Sequence, residues 1–172
     1  DGELLTKYVV DQGNKPYFYP VIGPSGDAMT RAYPMEDVEG ERKDHPHHRS
    51  MWFGHQGSNG FDTWHEPLTM EERHKKKGPE AVENAMKVLG SIVHREYLKK
   101  EAADGKVVII TANDYVDHDG KKMFADVRTH TISVPNDDTR VFDVDIVITA
   151  PYGKVTLNDK KDAGFSVRVP TA

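Results

Sequence analysis

Between residues 141 and 150 the side chains alternate in character: Phe142, Val144, Ile146 and Ile148 are apolar, Asp143 and Asp145 between them are acidic, and only Val147 breaks the pattern. A period of two places one set on each side of an extended chain, so this segment predicts an antiparallel strand with one buried and one wet face. The segments 106–116 and 122–134 carry similar β-branched and aromatic content and flank Asp117-His118-Asp119-Gly120, a polar run whose Asp-Gly pair suits a tight hairpin turn. Further strands are expected at 4–10, 17–22, 91–99, 155–157 and 165–169. Seven or eight strands separated by turns define an all-β chain, an antiparallel β-sandwich or a barrel-like relative of it. At 172 residues the chain reads as one domain spanning 1–172, large enough to enclose a substantial core.

The exception is the stretch 23–90, which is rich in Gly and Pro and holds six of the nine histidines. A structureless excursion of that length inside a compact domain is uncommon unless it carries function or packs on itself. One short helix is expected within it at 79–89, where Pro79 suits a first turn and Ala81, Val82, Ala85, Met86 and Leu89 form an apolar stripe.

Composition removes several classes of function. With 23 basic against 28 acidic residues the chain carries a net charge of −5, which gives no field for nucleic-acid phosphates. No apolar run approaches the ~20 residues of a membrane helix. Cysteine is absent, so thiolate nucleophiles, disulfides and Cys-ligated zinc or iron-sulfur centres are excluded. A chain that begins at Asp1 reads as trimmed, which favours export to the periplasm or medium over the cytoplasm. Oligomeric state leaves no mark in the sequence.

Chemistry concentrates in Asp44-His45-Pro46-His47-His48-Arg49, followed by Trp52, Phe53 and His55 and then by Asp62, Trp64, His65 and Glu66. Imidazole titrates near neutrality, so His45, His47, His48 and His55, assisted by Arg49, are candidates for acid-base or hydrogen-bonding work on a hydroxyl-bearing ligand. Trp52 and Trp64 could stack on the apolar face of a sugar ring, with Asp62, His65 and Glu66 completing a substrate-binding set. This reading makes the partner a small molecule or oligosaccharide and needs no cofactor. A second reading stays open. In an extended stretch His45 and His47 fall on one face, a spacing that suits two imidazoles on zinc or copper with a third His or acid. A third is a non-catalytic secreted module whose loop binds a partner. A second polar group, 158–165 with Arg168, reads either as a charged turn or as a partner facing the histidine segment. His94, His118 and His130 read as structural or solvent-facing.

The runs Lys15-Pro16-Tyr17-Phe18-Tyr19-Pro20-Val21-Ile22-Gly23-Pro24 and Thr30-Arg31-Ala32-Tyr33-Pro34, and above all the block from Asp44-His45-Pro46-His47-His48-Arg49 to Trp52-Phe53-Gly54-His55, give the chain a resemblance to the PmoA-like family of bacterial proteins. Ile92-Val93-His94-Arg95 and Gly164-Phe165-Ser166-Val167-Arg168-Val169 extend the resemblance along nearly the whole sequence. It implies a sandwich of the large, galactose mutarotase-like type and a link to carbohydrate use. Proteins of that family continue through a further block of strands with a second histidine segment, so the resemblance also implies an N-terminal fragment or a shortened member.

Overall fold

The computed structural model describes residues 2–170 and places two four-stranded antiparallel sheets face to face. The strands are β1 (Thr6–Val9), β2 (Tyr17–Val21), β3 (Met51–His55), β4 (Ser91–Ala103), β5 (Lys106–Val116), β6 (Lys122–Asn136), β7 (Thr139–Thr149) and β8 (Ala163–Val167). The all-β antiparallel sandwich expected from the alternation is the observed fold. Two helices, α1 (Pro67–His74) and α2 (Pro79–Met86), are joined by a single 3-10 turn at Lys75–Lys77.

The long sheet has the order β4-β5-β6-β7 and is a plain meander. Asp104 and Gly105 both have positive φ (52° and 71°), the conformation a two-residue turn needs to match the twist of β4 and β5. At the next turn Asp117 Oδ1 accepts the N–H groups of Asp119 and Lys121, which closes the anticipated 117–120 hairpin. On β7 Phe142, Val144, Ile146 and Ile148 are half-buried while Asp143 and Asp145 are exposed, as the alternation requires.

The short sheet has the order β1-β2-β3-β8 and is assembled from distant segments. β3 and the helix α1 both lie where sequence alone suggested an irregular excursion. The expected strand at 155–157 is reduced to one bridge, Ser58 to Leu157, because the chain there follows the surface instead of a sheet edge.

Parity along β2 and β3 decides which side chains enter the sandwich. Phe18 and Met51 are paired in register and pack with Val21 and Ile132 between the sheets, and Phe53 joins Ile92, Tyr115 and Phe124 there. Tyr17 and Trp52, also paired, point the other way and pack with Trp64 on the outer face of the short sheet. The space between the sheets is not purely apolar. Asp126, Arg128 and His130 follow one another along the inner face of β6, and Asp126 accepts from Asn113 Nδ2 (2.6 Å), Tyr115 Oη (2.8 Å) and Arg128 Nε (2.9 Å). Of the two roles expected for His130, structural or solvent-facing, the structure shows the first: the side chain is 3% exposed.

Candidate functional site

The outer face of β2 and β3 is the foundation of the site. Two segments lie on it, the chain from Asp62 to Thr69 and the turn from His45 to Arg49. Gly54, on the same side of β3 as Trp52, lets the first approach: a Cβ there would sit 2.9 Å from the Thr63 carbonyl oxygen and 3.3 Å from Trp64 Cα. Any larger residue would push the segment off the sheet.

Beneath it lies a buried charge cluster. Lys15 Nζ donates to Glu66 Oε1 (3.0 Å), to Asn14 Oδ1 (2.9 Å) and to the Trp64 carbonyl (2.8 Å). Arg49 grips the same carboxylate through Nε (2.9 Å) and Nη2 (2.8 Å) and lies over the Tyr17 ring. Burial pushes the Glu66 carboxyl up, but its two cations outweigh that and hold it below the usual range. For Lys15, burial wins over Glu66 and lowers the ammonium. Three side chains anchored this way fix the register of both overlying segments.

The histidine turn is not extended. The N–H of His48 donates to the His45 carbonyl (2.9 Å), and His45 itself has φ 48°. The same-face spacing expected for His45 and His47 is thereby overturned: Pro46 bends the chain, and the two rings stand 5.7 Å apart at 65°. The turn instead stacks His45 on His48 (4.8 Å, 17°), and His48 in turn on Trp52 (5.1 Å, 23°). His47 sits edge-on to His48 at 4.4 Å and tilted against His65 at 4.5 Å. Four imidazoles and two indoles thus form one contiguous cluster.

Hydrogen bonds orient the inner pair. Asp62 accepts the N–H groups of Trp64 and His65 through Oδ1 (both 2.9 Å) and lies 2.7 Å from His65 Nδ1 through Oδ2. A carboxylate only accepts, which puts the proton on Nδ1 and leaves Nε2 to accept from Arg73 Nη1 at 3.0 Å. His47 Nδ1 lies 2.8 Å from Thr69 Oγ1, on α1. Burial drives the His47 pKa far below that of free imidazole, reinforced by His48, His65, Lys15 and Arg73. Burial lowers His48 to about 3, with His45, Arg168, Arg31 and Lys15 acting in the same sense. Both rings are neutral at physiological pH.

The rim is polar and open. The Asp44 side chain is 29% exposed and that of His45 48%. Asp44 accepts from Arg31 Nη1 and from Arg168 Nη2 (2.9 Å), and Arg42 Nη2 and His45 Nδ1 lie 3.3 and 3.2 Å from its other oxygen.

Of the residues singled out by sequence, the structure gathers His45, His47, His48, His65, Trp52, Trp64, Asp62, Glu66 and Arg49. It does not gather His55. As the third residue after Trp52 on β3, that side chain has the opposite parity, and its Nδ1 accepts the Gly57 N–H (2.9 Å). Trp52 and Trp64 are 3% and 7% exposed, so they back the imidazoles and present no open stacking face to solvent. In the second polar group, Arg168 reaches Asp44, whereas 158–161 form an exposed run beside Gly57. Among the described residues no three His, Asp or Glu side chains are arranged to hold a metal ion. Sequence reasoning missed Lys15, Thr69 and Arg31; only Arg31 carries a local signal, a charge followed by Ala32, Tyr33 and Pro34, whereas Lys15 follows the polar run Asp11-Gln12-Gly13-Asn14.

This geometry defines a β-sandwich protein with a histidine-lined outer face backed by tryptophan. The chain belongs to a family of unknown function, DUF6807, whose model it matches over residues 1–172. No curated protein and no solved structure matches it. No helix among the described residues is long and apolar enough to cross a membrane.

Proposed function

We propose that the histidine face binds a carbohydrate, with His48 and His45 hydrogen-bonding ring hydroxyls and Asp44 and Arg168 forming the polar rim. The observation that carries this reading is the state of His48, a neutral, partly exposed imidazole held flat on Trp52 beside a charged rim. A neutral imidazole both donates and accepts, the pairing a hydroxyl requires. A group that stays neutral down to about pH 3 does not take up protons between pH 5 and 8, so His48 and the more deeply buried His47 serve as fixed hydrogen-bonding groups. Binding is accordingly the primary role. The reading also retains the PmoA-like resemblance with its galactose mutarotase-like implication.

The test is titration of the purified protein with a panel of neutral and acidic monosaccharides, followed through histidine ring protons and tryptophan fluorescence. Saturable shifts that persist after chelator treatment and vanish in His48→Ala, with the fold intact by circular dichroism, are the expected result. Silence across the whole panel would overturn the proposal, as would binding restored only by added zinc or copper.

A further inference from the structure

The rim of the site is positively charged in a chain whose net charge is −5. Three guanidinium groups, those of Arg31, Arg42 and Arg168, meet on the single carboxylate of Asp44, and the His45 ring adds a fourth nitrogen contact. The nearby Glu41 carboxylate, held by the backbone N–H groups of Ala32 and Tyr33 (2.9 and 2.7 Å), offsets one more charge, so three guanidinium groups face two carboxylates and a surplus of one cation remains.

The three arginines differ in availability. Arg31 has no exposed side-chain surface and spends Nε, Nη1 and Nη2 on the carbonyls of Tyr33, Arg42 and His45 as well as on Asp44. Its role is to pin the turn. Arg42 and Arg168 are 65% and 27% exposed, and each contacts Asp44 through Nη2. A planar guanidinium with donors to spare takes a carboxylate side-on through two hydrogen bonds. Inward from the rim, burial and the nearby cations Arg168, Arg31 and Lys15 all disfavour a positive charge on His48.

Resting on the carbohydrate reading above, we infer that the preferred ligand is an anionic sugar, its carboxylate seated between Arg42 and Arg168 and its hydroxyl-bearing ring on His45 and His48. A phosphate or sulfate ester would present related anionic chemistry, so the experiment separates these sources.

Affinities are measured by calorimetry at low salt for galacturonate and glucuronate against galactose and glucose, with glucose 6-phosphate, glucose 6-sulfate and inorganic phosphate alongside. A uronate is expected to bind at least about tenfold more tightly than its neutral counterpart, the difference a charged hydrogen-bonded contact supplies. The advantage should shrink with added salt, as expected for a partly exposed pair. It should fall toward unity in Arg42→Gln, where the 65% exposed side chain carries no core packing, and in Arg168→Gln. Equal affinity for uronate and neutral sugar would overturn the inference and leave the carbohydrate reading standing. Tighter binding of the sugar phosphate or sulfate than of either uronate would overturn the carboxylate assignment, and inorganic phosphate matching the uronates would overturn the sugar requirement. Failure of every sugar would remove the underlying reading and this inference with it.

Discussion

Both sheets bury charge, but they hold it differently. In the long sheet Arg128 and Asp126 are two residues apart on one strand, and their partners Asn113 and Tyr115 lie on the adjacent one. In the short sheet Lys15, Arg49 and Glu66 come from three separate segments, with the lysine and the glutamate 51 positions apart. The first network is an outcome of strand register. The second helps to set the register, because beyond the Thr63 N–H bond to the His55 carbonyl (3.0 Å) and the packing of Trp64 the Asp62–Thr69 segment has no strand pairing with β3. Where a polar cluster substitutes for ladder hydrogen bonds as the element that aligns the chain, its loss should disturb the site as well as stability.

The sharpest test is to remove the anion from each network. Glu66→Ala leaves Lys15 and Arg49 without a counter-charge in a buried setting and is expected to cost about 3–5 kcal/mol in denaturant unfolding, as is Asp126→Ala for Arg128. Only the first should also disperse the histidine-ring signals in a nuclear magnetic resonance spectrum. Equal effects on those signals would break the distinction.

Acid should weaken the core between the sheets through His130. Its pKa is lowered to about 4, mainly by burial and further by Arg128. The unfolded chain therefore takes up a proton below about pH 6.5 that the native state refuses, and stability falls as pH drops from there to about 4. The loss from this one group reaches about 3 kcal/mol at the acid end. Both ring nitrogens of His130 are buried without a partner among the described residues, so His130→Phe should flatten that part of the pH profile without lowering stability at neutral pH. An unchanged profile would contradict the assignment.

Gly54→Ala is expected to cost about 1–3 kcal/mol by pressing a methyl group onto the Thr63 backbone, and to shift Trp64 emission because that segment moves. The smallest effect belongs to the far end of the long sheet. Lys99 and Glu101 on β4 are about half exposed and their ion pair is a surface one, so Lys99→Ala should change the unfolding midpoint by less than about 0.5 kcal/mol equivalent.

The long sheet was legible in the sequence because its strands are half-buried and consecutive, so alternation and turn chemistry carry nearly all the information. β3 was not, for the opposite reason. Met51 and Trp52 are buried on opposite faces of the same strand, so Met51-Trp52-Phe53-Gly54-His55 shows no alternation, and it stands among prolines and histidines. Missing that strand also hid the parity that sends His55 away from Trp52. The helix α1 escaped notice because only Thr69 and Met70 of its eight residues are buried, too little for an apolar stripe. Crowding of histidines did reveal the site, yet the bend at Pro46 and the buried supports Lys15 and Arg31 depend on contacts far along the chain.

One pairing governs the order in which these parts are completed. Met51 to His55 of β3 find their outer neighbour in β8, and Asp44 finds Arg168 at a separation of 124 residues. A chain emerging from the ribosome has every strand of the long sheet once residue 149 is out, and can fold that meander from contacts between neighbours. The histidine face must wait for β8. The outer face is therefore completed only after the long sheet, when β8 closes the edge of the short sheet, and probes of the two sheets applied during synthesis would respond at different chain lengths.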